Sequence, residues 1–208
     1  PTGNGCMELP ANLQNGLVAH YPFCGNANDE SGNGNDGTVN GATLTTDRFC
    51  NDNSAYYFDG VDDYISCPPV PFNNFTFSSW VYVSNLNTTA LNAIISSIGT
   101  VAYQGVELRI EPNGTLLLVC GIGSNWSQPL TVDILQENTW YHVACTHNGS
   151  GIKLFLNAQE IYSYSISGFI NSSTDLYFGT RSPSTNGWLN GLLDDITIHN
   201  RALDVTEV

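Results

Sequence analysis

The chain has 208 residues, with 19 acidic and 5 basic side chains and a formal net charge of -14. Charged residues make up 12% of it and hydrophobic residues 41%, which excludes disorder and leaves Asn, Ser, Thr and Gly to build the surface. Five cations are too few to track a phosphate backbone or hold an anionic membrane surface, and no apolar run approaches the roughly 18 residues that span a bilayer.

A length of this order suits one all-β sandwich, and residues 1–208 read as a single unit without linker or repeat. Residues 1–15 form a polar N-terminal extension with no signal-peptide pattern. Gly25 to Gly41 is dense in Gly, Asn and Asp. So many turn formers make an ordered loop entropically expensive unless it binds something, and its oxygens suggest a hard cation. Beyond residue 70 the chain alternates apolar and polar residues over Phe75–Val83, Gly105–Ile110, Trp140–Thr146, Ile152–Leu156 and Asp175–Phe178. Period two places one face on a core and the other in solvent. Asn113-Gly114 and Asn148-Gly149 predict tight hairpins between neighbouring runs. Roughly a dozen strands at 8–12-residue spacing predict an antiparallel β-sandwich. Only 202–208 reads as helical, for a turn or two.

The cysteines Cys6, Cys24, Cys50, Cys67, Cys120 and Cys145 include no C-x-x-C pair, so zinc and thioredoxin readings lose their support. An even count favours disulfides, and spacing alone leaves every pairing open. Sequons stand at Asn74, Asn87, Asn113, Asn125, Asn148 and Asn171, although a chain this rich in Asn, Ser and Thr produces them by chance.

Several blocks follow one another in a familiar order. They are Gly16-Leu17-Val18-Ala19-His20-Tyr21-Pro22-Phe23, the Gly25–Gly37 loop, and Phe58-Asp59-Gly60-Val61-Asp62-Asp63-Tyr64-Ile65. Phe75–Val81, Trp140–Ala144 and Gly191–Leu203 complete the series. Over residues 16–205 the chain resembles the laminin-G-like jelly-roll domains of the concanavalin A-like lectin/glucanase superfamily. The resemblance implies two curved antiparallel sheets in a secreted or surface-attached protein, and a carbohydrate-binding or adhesive role, often with one calcium ion. Cys24 and Cys50 replace residues usual in that family, which suggests a Cys24–Cys50 bridge across the base of the loop. Cys120–Cys145 and Cys6–Cys67 complete the expected pattern.

By the same resemblance, Asp29, Gly32, Asn33 and Asn35 of the loop would hold calcium together with one acid of the last strand. Adjacent strand residues face opposite ways, so Asp194 is favoured over Asp195. The competing reading is that Asp29 and Asn33 only cap turns. An EF-hand is rejected, because Asn40 stands where its bidentate Glu belongs and no helices flank the loop. Trp80 and Trp140 sit at family core positions, and Trp188 also reads as packing. Trp126, in a polar stretch, is the candidate for stacking on a sugar ring; Tyr103, Gln104 and Arg181 in neighbouring connections are the other candidate ligand contacts. The Glu-x-Asp-x-Glu run of the superfamily's glucanases is absent. Glu107 and Glu111 share a face, but their backbone positions lie some 13 Å apart at about 3.3 Å per residue, beyond the spacing of a hydrolytic pair. His142 and His147 face opposite ways. The expectation is a secreted, non-catalytic lectin-like module for neutral glycans, with protein adhesion through the same loop rim as the alternative.

Overall fold

The computed structural model describes residues 8–70, 73–86, 90–98, 101–127, 130–133, 135–169, 171–183 and 187–208, with backbone alone for 130–133. Among the described residues sixteen strands follow a short 3-10 turn at Ala11–Leu13. In chain order they are β1 Leu17–Tyr21, β2 Thr38–Asn40, β3 Thr43–Thr45, β4 Ala55–Asp59, β5 Tyr64–Cys67, β6 Phe75–Val83, β7 Asn92–Ser96 and β8 Val106–Ile110. The remainder are β9 Thr115–Gly121, β10 Trp126–Ser127, β11 Leu130–Asp133, β12 Trp140–His147, β13 Gly151–Leu156, β14 Gln159–Ser165, β15 Leu176–Phe178 and β16 Asn190–His199.

These strands form two antiparallel sheets. Sheet I has the order β14-β13-β12-β6-β16-β4-β3, with β1 also pairing β16. Sheet II has the order β10-β9-β8-β7-β15-β5-β2, with β11 also pairing β9. The long β16 carries β4 along Asn190–Leu193 and β1 along Ile196–His199. The predicted all-β jelly-roll sandwich is the observed fold. Both expected hairpins close as read, with Gly114 and Gly149 at φ 87° and 89°, a region where an added Cβ is strained. Residues 205–207 form turns rather than a helix.

The core is built from cross-strand rows, because partners directly opposite each other share a face. In sheet II one inner row runs Val39–Ile65–Phe178–Ile95–Leu108–Leu118. In sheet I another runs Ile198–Phe77–Cys145–Leu154. Apart from Val39 at the sheet edge, all of these are buried in one continuous cluster.

Parity then corrects the tryptophan reading. Phe75, Phe77, Val81 and Val83 take the inner face of β6, so Trp80 points outward and is only half-buried. Trp140 does the same on β12, opposite the outward Tyr82.

The disulfide expectations are overturned. Cys50, Cys67, Cys120 and Cys145 are free thiols, so none of the three predicted pairs forms. Cys24 is disulfide-bonded, but Cys50 is not its partner; Cys6 lies outside the described residues. Cys120 and Cys145 do not meet through neighbouring turns. They enter the core from opposite sheets, on β9 and β12, close enough that Cys145 disfavours ionisation of Cys120. Burial pushes the Cys67 thiol up to about 12 and raises those of Cys120 and Cys145 as well. Because the thiolate is the nucleophile, iodoacetamide should modify exposed Cys50 in the folded protein and leave Cys67, Cys120 and Cys145 untouched until urea is added. Mass spectrometry after timed labelling checks this; early labelling of any of the three would contradict the packing described.

Candidate functional site

The Gly25–Gly41 loop is held by the protein itself. Asp29 Oδ1 accepts the backbone N–H of His20 at 3.0 Å and of Ser31 at 2.9 Å, and its Oδ2 accepts that of Asn35 at 3.0 Å. Burial pushes the Asp29 carboxyl up, but these bonds outweigh it and hold the group below its ordinary value. The side-chain amide of Asn33 donates to the carbonyls of Leu17 and Val18, and that of Asn35 to Val18. Gly32, at φ 84°, supplies only a turn. The expected calcium set is therefore not assembled: its carboxylate faces N–H donors, and Asp194 is engaged elsewhere. A cation at this loop does not fit the residues present. Among the described residues one other acid group converges, Asp59, Asp62 and Asp63, with ligand atoms within 4.8 Å of one another. Its inner oxygens are also spent on backbone, Asp59 accepting from Val61 and Asp63 from Asp59.

Asp194 and Asp195 both meet Arg48. The strand is not regular there: β16 breaks register between Asp194 and Thr197, and Asp195 sits at φ 46°. A bulge of this kind re-aims one side chain, so the two neighbours share a partner instead of facing apart. Arg48 pairs with Asp194 and, at 2.7 Å, with Asp195. Its guanidinium lies 4.4 Å from the ring centroids of both Phe49 and Trp80. Burial and the adjacent Asp195 push the Asp194 carboxyl well up, and Arg48 opposes them. Beside this group, His142 Nε2 lies 2.7 Å from the Ser78 hydroxyl. Burial, with Arg48 adding to it, lowers His142 to about 4.

The predicted ligand contacts lie on the outer face of sheet II. An outward row runs Thr38–Ser66–Tyr177–Ser96–Glu107–Val119 across six strands. At one end Trp126 pairs with Gly121 and packs on Ile98, Leu117 and Val119. A Cβ on Gly121 would stand 2.3 Å from the Tyr103 carbonyl carbon, so the bare glycine seats the Tyr103–Gln104 backbone against the sheet. That contact brings the rings of Tyr103 and Trp126 to 5.7 Å, edge to face. Trp126 is half-buried rather than a free loop indole. At the other end Tyr64 lies 6.1 Å from Tyr177 and 6.2 Å from Trp188. Sequence reasoning missed this second aromatic group, although the outward parity of Tyr64 and Tyr177 was visible.

Between the two ends sits Glu107, fully buried. Its Oε2 accepts from Arg109 at 3.0 Å and lies 3.6 Å from Arg181. Arg109 also binds Glu111 at 2.7 Å. Glu107 and Glu111 share a face, but Arg109 draws their carboxylates onto one guanidinium, closer than backbone spacing implies. Burial pushes Glu107 up against the opposing pull of Arg109 and Arg181. A carboxylate sealed from solvent and held by arginines is a structural charge rather than a group placed to touch a scissile bond.

The sequence profile of the Laminin_G_3 family, of the concanavalin A-like lectin/glucanases superfamily, matches residues 59–208. The chain belongs to that family. Among solved structures it is similar to domain 4 of AbnA, a GH43 extracellular arabinanase from Geobacillus stearothermophilus, in complex with arabinotriose. The TM-score is 0.78 at 21% identity, covering 92% of this chain and 95% of that one. It is also similar to the receptor binding domain of botulinum neurotoxin D, with a TM-score of 0.76 at 18% identity, covering 94% of this chain and 52% of that one. No curated protein matches. At these identities the likeness is one of fold, and the superfamily spans binding domains and glucanases alike.

Removing Arg48 should expose the charge balance. Asp194 has its folded value above its ordinary one, so its ionisation costs stability as pH rises from near 4 through the raised value. In Arg48→Gln that cost grows, because the counter-charge is gone. The variant should be less stable by about 3–5 kcal/mol near pH 10, with the deficit shrinking as pH falls through about 8, where Asp194 takes a proton. Urea denaturation across that range checks it; a deficit that is constant or grows in acid contradicts the assignment.

Proposed function

We propose that this Laminin_G_3 domain is a non-catalytic carbohydrate-binding module that acts outside the cell or at its surface and takes a neutral glycan across the outer face of sheet II. The observation that carries the reading is the pairing of two aromatic groups at opposite ends of one polar row. Tyr103 and Trp126 stand at one end, with Tyr64, Tyr177 and Trp188 at the other. Trp126 on β10 and Tyr64 on β5 are five strand spacings apart, about 24 Å at roughly 4.8 Å each, a span that suits an oligosaccharide.

Aromatic faces take the apolar side of a sugar ring, while Ser66 and Thr38 offer neutral donors and acceptors. The charges between them are already internally paired, which favours a ligand that brings no charge of its own. A net charge of -14 disfavours sulfated and uronic sugars. The arabinotriose held by the similar arabinanase domain lends weight to an oligosaccharide ligand. The absence of a Glu-x-Asp-x-Glu run and the sealing of Glu107 support a non-catalytic role.

A broad glycan array tests the reading directly. A neutral oligosaccharide should bind, and Trp126→Ala and Tyr64→Ala should each weaken it about tenfold while the melting transition stays cooperative. Binding to extracellular proteins with no glycan signal would move the function to adhesion.

A further inference from the structure

The opposite face of the sandwich holds a second arrangement with the marks of a ligand site. Outside sheet I lies a cleft of about 290 Å³, near the lower bound of small-molecule sites and of a size for one or two sugar rings rather than a long chain. Its floor is set by register. Trp80 stands opposite both His142 and Asp194, and Ser78 opposite Thr197, so all of them project from one face. Residues 8–13 and 203–208 wall it in.

The polar groups of the cleft are prepared but not exhausted. Arg48 lines it and spends two nitrogens on Asp194 and Asp195, while its buried Nε has no hydrogen-bond partner. The side chain that carries this orphaned donor is only 9% exposed, so an unmet hydrogen bond there costs about as much as a lost one. Asp195, paired by one oxygen, is 28% exposed and also lines the cleft. A donor and an acceptor side by side match two adjacent hydroxyls, one accepting from Arg48 and the other donating to Asp195. The Ser78 and Thr197 hydroxyls and the neutral imidazole of His142 add uncharged partners, and the Trp80 indole adds an apolar wall.

The charged groups around the cleft leave an acidic excess: Arg48 faces two aspartates, Glu8 also lines the cleft, and Glu207 at the rim is paired with Arg201 at 2.6 Å. An anionic ligand would add to that excess, whereas a polyol disturbs none of the pairs.

We propose that this cleft is a second carbohydrate site, separate from the outer face of sheet II, which takes a single neutral sugar ring through vicinal hydroxyls. It goes beyond the oligosaccharide reading and stands without it.

The four tryptophans report the two faces separately, because Trp80 lines the cleft while Trp126 and Trp188 lie on sheet II. The experiment is a nitrogen–proton correlation spectrum of the ¹⁵N-labelled chain, following the indole N–H signals. Free arabinose, galactose, glucose and N-acetylglucosamine are added in turn to about 50 mM, since shallow wet sites bind weakly. At least one sugar should move the Trp80 signal saturably. His142→Phe and Thr197→Val should each weaken that response about three- to tenfold, the loss of one hydrogen bond, with Trp126 and Trp188 unaffected. The proposal is overturned if no sugar shifts Trp80 saturably, or if the shift survives both variants in folded protein. Silence of Trp126 and Trp188 toward oligosaccharides would sink the sheet II reading instead, so the two failures are told apart.

Discussion

Pleated strands give each face every second residue, and two sheets can close on each other only if their inward sets are apolar throughout. That constraint governs this domain. Once Phe77, Cys145, Leu154 and Ile198 fill one inner row and Ile65, Phe178, Ile95, Leu108 and Leu118 the other, the outward residues fall into register as a consequence. The row from Thr38 to Val119 and the cluster of Trp80, His142 and Asp194 are the reverse sides of the two core layers. A one-residue slip in either sheet would turn Glu107 or Trp80 toward the apolar core and Phe178 or Phe77 away from it.

Where the alternation is broken, the break has a local cause and a consequence for chemistry. The irregularity between Ala93 and Ile95 lets both Ile94 and Ile95 enter the core. The one in β16 turns Asp194 and Asp195 toward a single arginine. Arg48 then joins the connection between β3 and β4 to the last strand and, through its stacking, to Trp80 on β6. One guanidinium thereby ties three distant pieces of chain with charge and ring contacts, on a sheet face that the core alone would leave featureless. Arg109 does the comparable work on the other sheet, collecting Glu107 and Glu111. With only five cations in the chain, the use of two of them to bind pairs of carboxylates is part of how so acidic a protein keeps its sheets together.

Much of this was legible from residue order. Period-two patterning and the two Asn-Gly turns determined an antiparallel β-sandwich, because turn chemistry and alternation are local properties. The ordered blocks from Gly16 to Leu203 placed it in the lectin-like superfamily. Trp126 stands out as a candidate by its polar surroundings, and Tyr103 by its place in a neighbouring connection. Parity could have placed Trp80 and Trp140 outside the core, since the odd-numbered neighbours on each strand are the apolar ones.

Tertiary structure alone decided the rest, for a physical reason common to each case: the partners are far apart in sequence and meet only through packing. Nothing local to Asp29 says that its oxygens will be taken by the amides of His20, Ser31 and Asn35 rather than by a cation. The free thiols of Cys120 and Cys145 depend on which sheet each strand joins. The convergence of Asp194 and Asp195 on Arg48, 146 and 147 residues away, required a bulge that no alternation rule contains. The aromatic group of Tyr64, Tyr177 and Trp188 exists because β15 lies beside β5 and an isolated bridge joins Trp188 to Thr180. Local sequence determined which residues face outward; strand order determined which of them became neighbours.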